Sequence, residues 1–209
     1  MPIRHPVGRL HPARHIDRID SLIEMLCRAF DQDAHINWIV RQDERRAEAF
    51  RRLFRLLLTE LAPGHGELFA SADLQAGALW FPPGAWKLGL PSQLRVGLRF
   101  AAICGWHNLP LRAYGLNRME ARHPKTPHYF LQTIGVAPEK RRQGHGSALL
   151  ETLFARSDAA GVPVYLETSR TDNVAFYERH GFQVIGRVAL PRGPMLFQML
   201  RPARRPAHP

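Results

Sequence analysis

The chain has 209 residues, 45% of them hydrophobic, and a formal net charge of +11 with neutral histidines. This length can bury a substantial core, and the lack of any run of about 18 uncharged apolar residues excludes a membrane-spanning helix. Cys27 and Cys104 lack metal-ligand spacing and the eleven histidines show no metal pattern, so we expect neither a disulfide nor a metal site.

The first half of the chain is predicted to combine strands with amphipathic helices. The segment Met1–His15 carries three arginines and no apolar signal core, which favours a cytoplasmic protein. Apolar period and turn residues then predict, in order, a strand at Val7–Leu10, a helix at Ile16–Phe30, a loop at 31–43 with Trp38, a helix from about 44 to 61, and strands at 67–72 and 76–81. The residues Pro63-Gly64 stop the second helix, and Pro82-Pro83-Gly84 end the last strand.

The second half of the chain has the pattern of a mixed α/β fold. It predicts one or two helices within 91–122 broken near 108–110, a turn at 124–127, a strand at 128–136, a helix at about 144–161, a strand at 162–169, a helix at 173–180, and strands near 182–189 and 194–201. We therefore expect a single α/β domain over residues 1–202, with a mixed, twisted sheet of about six to seven strands and helices on both faces. Residues 203–209, within a Pro- and Arg-rich end, are expected to form a flexible tail.

A basic turn with two glycines joins the strand ending at Val136 to the helix that follows. Gly144 and Gly146 let the backbone approach a ligand, and the first turn of the helix offers unpaired N–H groups. The helix dipole and the charges of Lys140, Arg141 and Arg142 add positive potential, so a pyrophosphate fits this turn. Alternatively, the glycines only cap a turn before a surface helix. Leu149 stands where a dinucleotide-binding fingerprint needs its third glycine, and a Walker-type Gly-Lys-Ser/Thr is absent.

The motifs that follow this turn carry a resemblance to a known family. They are Val136-x-Pro138, Arg-Arg-Gln-Gly-His-Gly-Ser-Ala at 141–148, Leu-Glu-Thr-Ser at 166–169, Asn173-x-x-Phe-Tyr-Glu-Arg and Gly181-Phe182. In this order and spacing they resemble the acetyl-CoA-dependent N-acetyltransferases of the GNAT superfamily, over residues 128–200. Phe130-Leu131 and Gly193-Pro194 are most similar to puromycin N-acetyltransferase and its bacterial relatives. Residues 86–127 carry no resemblance, so the antibiotic itself is not transferred to this chain.

The resemblance implies acetyl-CoA as cofactor, bound in a V-shaped splay between two central parallel strands. The pantetheine arm is expected along Thr133–Val136, the pyrophosphate on amides of Arg142–Ala148, and the thioester carbonyl near the N–H of Val136. The residues implied are Ile134, Gly135, Val136, Arg141, Arg142, Gln143, Gly144, His145, Gly146, Ser147, Ala148, Asn173, Phe176 and Tyr177. These contacts are led by the backbone, and we expect the side chain of His145 to face solvent.

Two residues are candidates for acid–base chemistry. Tyr177 matches the family tyrosine that protonates the leaving thiolate, although its position also suits a core aromatic beside Phe182. Glu167 is the candidate base, acting directly or through a water with a pKa raised by partial burial. The alternative for Glu167 is a structural ion pair with Arg170 or Arg179.

The acceptor is expected to be a primary amine of a small molecule, such as an antibiotic-like compound or another amine metabolite, attacking directly in a ternary complex. Trp38, Trp80 and Tyr129 are candidate aromatic walls, and Asp33, with Asp31, a candidate partner for a cation. A protein or peptide N-acetyltransferase and a non-catalytic acyl-CoA or nucleic-acid binding module are the alternatives. We expect no nucleic acid partner, because the arginines are spread from Arg4 to Arg205 rather than gathered in one stripe. The sequence predicts no oligomeric state.

Overall fold

A seven-stranded sheet forms the centre of the molecule in a computed structural model that describes residues 5–63, 66–87 and 90–204. Its strands are β1 (Val7–Leu10), β2 (Glu67–Ser71), β3 (Ala76–Phe81), β4 (Tyr129–Val136), β5 (Val164–Thr168), β6 (Gln183–Ala189) and β7 (Met195–Arg201). The strand order is β1-β2-β3-β4-β5-β7-β6, and every neighbouring pair is antiparallel except β4–β5. The predicted mixed α/β sheet with two central parallel strands is thereby confirmed.

Helices cover both faces of this sheet. They are α1 (Ile16–Phe30), α2 (Ala34–Ile39), α3 (Arg46–Arg55) with a π-helical turn at Leu56–Leu61, α4 (Leu90–Cys104), a 3₁₀ turn at Trp106–Asn108, α5 (Leu109–Glu120), a 3₁₀ turn at Pro138–Lys140, α6 (His145–Ala160) and α7 (Thr171–Arg179). In the described part of the chain, none of them is long and apolar enough to cross a bilayer.

The parallel strands β4 and β5 separate after a short paired stretch. They pair only from Tyr129↔Val164 to Leu131↔Leu166, although β4 runs on to Val136. On its other side, β4 pairs with β3 through a register shift that skips Gln132, which marks a β-bulge. The bulge lies where pairing with β5 stops, so beyond Gln132 β4 pairs only with β3 and its side toward β5 is unpaired.

Two hydrophobic clusters hold the helices on the sheet. On one face, α1 buries Ile19, Leu22, Ile23 and Leu26, a helical spacing that presents one apolar stripe to the strands. Gly135 of β4 permits this approach, since a Cβ there would lie 2.5 Å from Leu26 Cδ2. On the other face, Leu149, Leu150 and Leu153 of α6 pack on Trp80, Leu131 and Leu166. The splay therefore lies between two anchored layers.

The predicted loop at 31–43 contains a helix that the pattern did not indicate. The side chain of Asp33 caps α2 by accepting a hydrogen bond from the N–H of Ile36 at 2.9 Å. The 91–122 segment resolves into α4 and α5, with the break at the predicted place. Gly64 of the predicted stop and residues 205–209 of the predicted tail lie outside the described residues.

Candidate functional site

The turn before α6 presents unpaired backbone amides. Gly144 caps the helix with φ +90°, and Arg142 also has a positive φ, +59°. The first helical bond runs from Ala148 N to Gly144 O at 3.0 Å. Within the described chain, no hydrogen bond is made by the amides of His145, Gly146 and Ser147, so three donors remain at the positive end of the helix.

Side chains around this turn fix its shape. Arg141 donates to the carbonyl of Ala29 at 2.8 Å, and Gln143 donates to the carbonyl of Glu139 at 3.1 Å. Gly146 leaves room beside the splay, because a Cβ there would lie 3.4 Å from Phe176 Cζ and 3.8 Å from Val136 Cγ2. The turn is therefore a preformed cradle for an anion, next to the free edge of β4.

His145 differs from the expectation that it faces solvent. Its side chain is buried, with 5% exposed, and its ring stacks on that of His5 with centroids 3.7 Å apart. Burial lowers the pKa of His145, His5 and Lys140 lower it further, and Asp73 opposes them. The expectation was wrong because the start of α6 turns this ring under the N-terminal segment, a contact that no local pattern encodes.

Tyr177 lies in the α6-side core and keeps its hydroxyl proton. Its side chain is 6% exposed and packs beside Phe182. Burial raises the pKa of Tyr177, and the negative charge of Asp33 raises it further. No hydrogen bond is made by its hydroxyl within the described chain. The phenol is thus a proton donor without a hydrogen-bond partner among the described residues.

Asp33 stands near the end of β5. One of its carboxylate oxygens caps α2, and the other lies 3.5 Å from Ser169 Oγ, directly after β5. On the same end of the strand, Asn173 donates to Thr168 Oγ1 at 3.3 Å. The predicted residues Asp33, Asn173 and Tyr177 therefore meet at the end where β4 and β5 diverge.

Glu167 belongs to a hydrogen-bonded group on the opposite face of β5. Tyr165 donates its hydroxyl to Glu167 Oε1 at 2.7 Å, and Gln198 Nε2 lies 3.2 Å from the same oxygen and 2.6 Å from Tyr165 Oη. Burial raises the pKa of Glu167, while the bonds from Tyr165 and Gln198 lower it in part. Neither Arg170 nor Arg179 forms an ion pair with Glu167 in the described residues.

Tyr165 and Gln198 were not identified from the sequence. Their only signal is positional: Glu167 faces Gln198 across the β5–β7 ladder, and Tyr165 lies two residues before Glu167 on the same face of the strand. Reading that signal requires the strand order, which the residues alone do not provide.

The aromatic residues expected to line the acceptor pocket are committed to packing. Trp38 is 5% exposed, donates its indole N–H to the carbonyl of Pro191 at 2.9 Å, and carries the Arg112 guanidinium 4.5 Å above its ring. Trp80 is fully buried and donates to Glu67 at 3.0 Å, and Tyr129 packs in the same α6-side cluster. Alternation along β3 and β4 places these last two rings under α6, so the interpretation of Trp80 and Tyr129 as pocket walls is corrected.

No group of three or more metal-ligating side chains is found among the residues that the structure describes. The candidate site comprises the three free amides of α6 and the edge of β4 that β5 leaves unpaired, with Asp33, Glu167 and Tyr177 as candidate acid–base groups.

Known proteins are similar to this chain in sequence or in fold. The family described as "Acetyltransferase (GNAT) domain" matches residues 112–184. A 5-NmdU N-acetyltransferase of Pseudomonas phage PaMx11 is 31% identical over 99 residues, which cover 45% of this chain and 69% of the phage protein. An uncharacterised N-acetyltransferase of Schizosaccharomyces pombe is 35% identical over 54 residues, covering 26% of this chain and only 22% of the yeast protein.

One solved structure covers the whole fold. It is described as histone acetyltransferase HPA2 and related acetyltransferase from Corynebacterium glutamicum, with a TM-score of 0.74 at 22% identity over 99% of this chain and 100% of that chain. At this identity the likeness shows the fold alone. These matches do not support a particular closeness to puromycin N-acetyltransferase.

Proposed function

The chain belongs to the GNAT acetyltransferases, and from that premise we propose that it transfers the acetyl group of acetyl-CoA to a primary amine of a small molecule. The observation that carries the proposal is an anion cradle beside the edge of β4 that β5 leaves unpaired, with the unpartnered hydroxyl of Tyr177 on the same side of the sheet. Attack is direct, within a complex that holds both substrates, and no residue of the chain becomes acetylated.

The residues present fit the cofactor. Acetyl-CoA supplies an acetyl thioester activated for attack by an amine. The free amides of His145, Gly146 and Ser147 suit its diphosphate, with Arg142 adding charge nearby. The unpaired edge of Ile134, Gly135 and Val136 suits the amide-bearing pantetheine arm, to which Asn173 can donate. Phe176, beside Gly146, offers an apolar wall.

The acid–base roles follow from the protonation states of the two candidates. Glu167 has a raised pKa, because burial disfavours its charge, and can take the proton that an ammonium must lose before it attacks. Tyr177 keeps a proton on Oη and can give it to the departing sulfur. Asp33, at the same end of β5, provides a negative charge to attract the ammonium form of the acceptor.

An enclosed acceptor site is favoured over an open peptide groove. Trp38 joins α2 to the β6–β7 hairpin through Pro191, and Arg112 of α5 covers the other side of its ring. These contacts of Trp38 support a closed acceptor side, which suits a small amine. The phage relative makes a modified nucleoside a second acceptor candidate to be tested. The likeness to puromycin N-acetyltransferases remains a hypothesis about this acceptor site.

The test is release of free thiol from acetyl-CoA with a panel of acceptors: simple primary amines, puromycin, 5-NmdU and peptides with free N-termini. We expect turnover with at least one small amine and little with peptides. Mass spectrometry of the product should show one added acetyl group on nitrogen. Turnover confined to peptides would overturn the small-molecule proposal, and a covalently acetylated enzyme intermediate would overturn direct attack.

A further inference from the structure

His180, directly after α7, is oriented by a backbone carbonyl. Its Nδ1 lies 2.9 Å from the carbonyl oxygen of Phe176, and its Nε2 lies 3.0 Å from Ser147 Oγ. A carbonyl oxygen only accepts, so Nδ1 must carry the hydrogen. In the neutral imidazole Nε2 then has no hydrogen, and the contact with Ser147 can form only if the Ser147 hydroxyl donates to it.

Ser147 has a second potential partner. It is the third residue of α6, and its own amide is one of the three free donors of the anion cradle. A hydroxyl carries a single hydrogen, so while Ser147 donates to His180 it presents only lone pairs to a phosphate oxygen, which repel it. When His180 is an imidazolium, Nε2–H donates to Ser147, and the hydroxyl hydrogen becomes available to the phosphate.

We propose that binding of the CoA diphosphate at the start of α6 is coupled to protonation of His180, with Ser147 reversing the direction of its hydrogen bond. His180 is then a positioning residue for the cofactor: it touches no phosphate itself, takes up a proton on binding, and sets the donor available to the anion. The inference rests on the proposed use of acetyl-CoA.

The described surroundings of the His180 ring are largely aromatic. The other described ring contacts are Phe176 of α7, with centroids 4.6 Å apart, and Phe154 of α6, at 6.4 Å. The charged residues nearest along the two helices are Glu151, one turn beyond Ser147, and Glu178 and Arg179, just before His180. From β7 and the segment after it, Arg201 and Arg204 lie within 4 Å of a Cβ built on the neighbouring Gly181. None of these charges forms an ion pair with His180 in the part of the chain that the structure describes.

The experiment is isothermal titration calorimetry with 3′-dephospho-CoA, run at about pH 7 in buffers of different ionisation enthalpy. This probe keeps the diphosphate but lacks the terminal phosphate monoester, which itself titrates near pH 6. The dependence of the observed enthalpy on the buffer gives the number of protons taken up. We expect net uptake by the wild type, and a Kd that rises severalfold between about pH 6 and about pH 8.

Two variants test whether Ser147 and His180 are responsible for the proton uptake. Ser147→Ala removes the relay hydroxyl and should bind with little uptake. His180→Gln places a permanent amide donor against Ser147, so binding should persist with a Kd nearly independent of pH and no uptake. His5→Gln is the control for the stacked pair of histidines at the cradle, His5 and His145. It should retain the proton uptake of the wild type. Thermal unfolding of each variant checks that it is folded.

The outcomes distinguish the inference from the proposed function. Wild-type binding without proton uptake, or uptake that persists in folded Ser147→Ala and His180→Gln, overturns the coupling and leaves the acetyltransferase proposal intact. Uptake lost only in His5→Gln also overturns it, since the proton then belongs to His5 or His145. No binding of dephospho-CoA or CoA by the folded wild type contradicts both.

Discussion

At the scale of single residues, the proposed chemistry depends on Tyr177 and Glu167, whose surroundings affect their pKa values differently. Burial favours the neutral form of both Tyr177 and Glu167, but Tyr177 has no hydrogen-bond partner among the described residues, whereas Glu167 accepts from Tyr165 and Gln198. These two bonds stabilise the carboxylate in part. The tyrosine therefore keeps its proton and is the proposed acid, while the pKa of the glutamate, the proposed base, is raised by burial and lowered in part by its two bonds.

Replacing Tyr177 with phenylalanine keeps the ring that packs beside Phe182 and removes only the proton donor. We expect kcat to fall about 100-fold or more, with little change in the KM for acetyl-CoA. Steady-state kinetics with a saturating amine measures this, and an unchanged melting temperature is the control. An unchanged kcat, under conditions in which chemistry limits turnover, would make Tyr177 a packing residue only.

Glu167→Gln tests the base. The raised pKa of Glu167 predicts that kcat/KM of the wild type increases as pH rises through that pKa, because the carboxyl must lose its proton to act. In Glu167→Gln this acidic limb of the pH profile should flatten, and kcat/KM should be lower overall. Gln198→Glu would disturb the hydrogen-bonded group around Glu167 without removing the base. A full acidic limb in Glu167→Gln would assign the base role to another group or to solvent.

The sequence predicted the residues that lie in motifs, and not those that depend on packing. Gly144 and Gly146 were predicted from the local glycine pattern, and Tyr177 from its match to the family motif. The hydrogen bond of Gln198 to Glu167 and the stacking of His145 on His5 depend on which strands and segments meet across the fold. For the same reason, Trp80 was assigned to a pocket although alternation along β3 turns it into the core.

At the scale of elements, α5 is held by a close contact with α2. A Cβ on Gly115 of α5 would lie 2.4 Å from Cη2 of the Trp38 ring, while a Cβ on Gly97 of α4 would meet nothing within 4 Å. Both glycines are helical, so an alanine gains the same intrinsic helix propensity at either position. The pair therefore isolates the effect of the contact with Trp38.

Gly115→Ala should lower the free energy of unfolding by about 1–3 kcal/mol, because the rigid indole must move. Gly97→Ala should raise it by up to about 1 kcal/mol. Urea unfolding followed by circular dichroism gives both values. Equal effects of the two substitutions would show that the packing around Trp38 is loose, and would weaken the argument for an enclosed acceptor site.

The long elements were predictable because each repeats its pattern over several turns or residue pairs. The five buried positions of α1 and the alternation in β4 are of this kind. The six residues of α2 complete fewer than two turns and show no period, although Asp33 is a favourable cap. The strand order could not be derived from period alone, and it was the family resemblance that implied the splayed parallel pair.

At the scale of the whole molecule, a buried ion pair joins α6 to the last strand. Arg201 is 3% exposed and donates to both carboxylate oxygens of Asp158, at 2.8 and 2.9 Å. These bonds lower the pKa of Asp158, so the stability they confer is present above the pKa of the unfolded aspartate and is lost as pH falls through the lowered value.

Asp158→Asn should cost roughly 2–3 kcal/mol at neutral pH, because the guanidinium stays buried without its counter-charge. The difference from the wild type should vanish in acid, below the lowered pKa of Asp158. Chemical unfolding over a pH series measures both, with the exposed pair Arg52–Glu48 as control, where Glu48→Gln should change little. A difference independent of pH would mean that the ion pair is not the cause.

In the proposed enzyme, acetyl-CoA binds at the divergence of β4 and β5, with its diphosphate on the first turn of α6. Thermal unfolding with increasing acetyl-CoA tests it most directly, in the wild type and in Gly146→Val. The added side chain meets no contact closer than ordinary van der Waals distance at its Cβ, so the fold should tolerate it, while its bulk occupies the cradle. We predict a melting temperature that rises with cofactor concentration in the wild type, by mass action, and rises far less in the variant. No rise in the wild type at millimolar cofactor would contradict binding of acetyl-CoA. An equal rise in both proteins would contradict a diphosphate site on the first turn of α6.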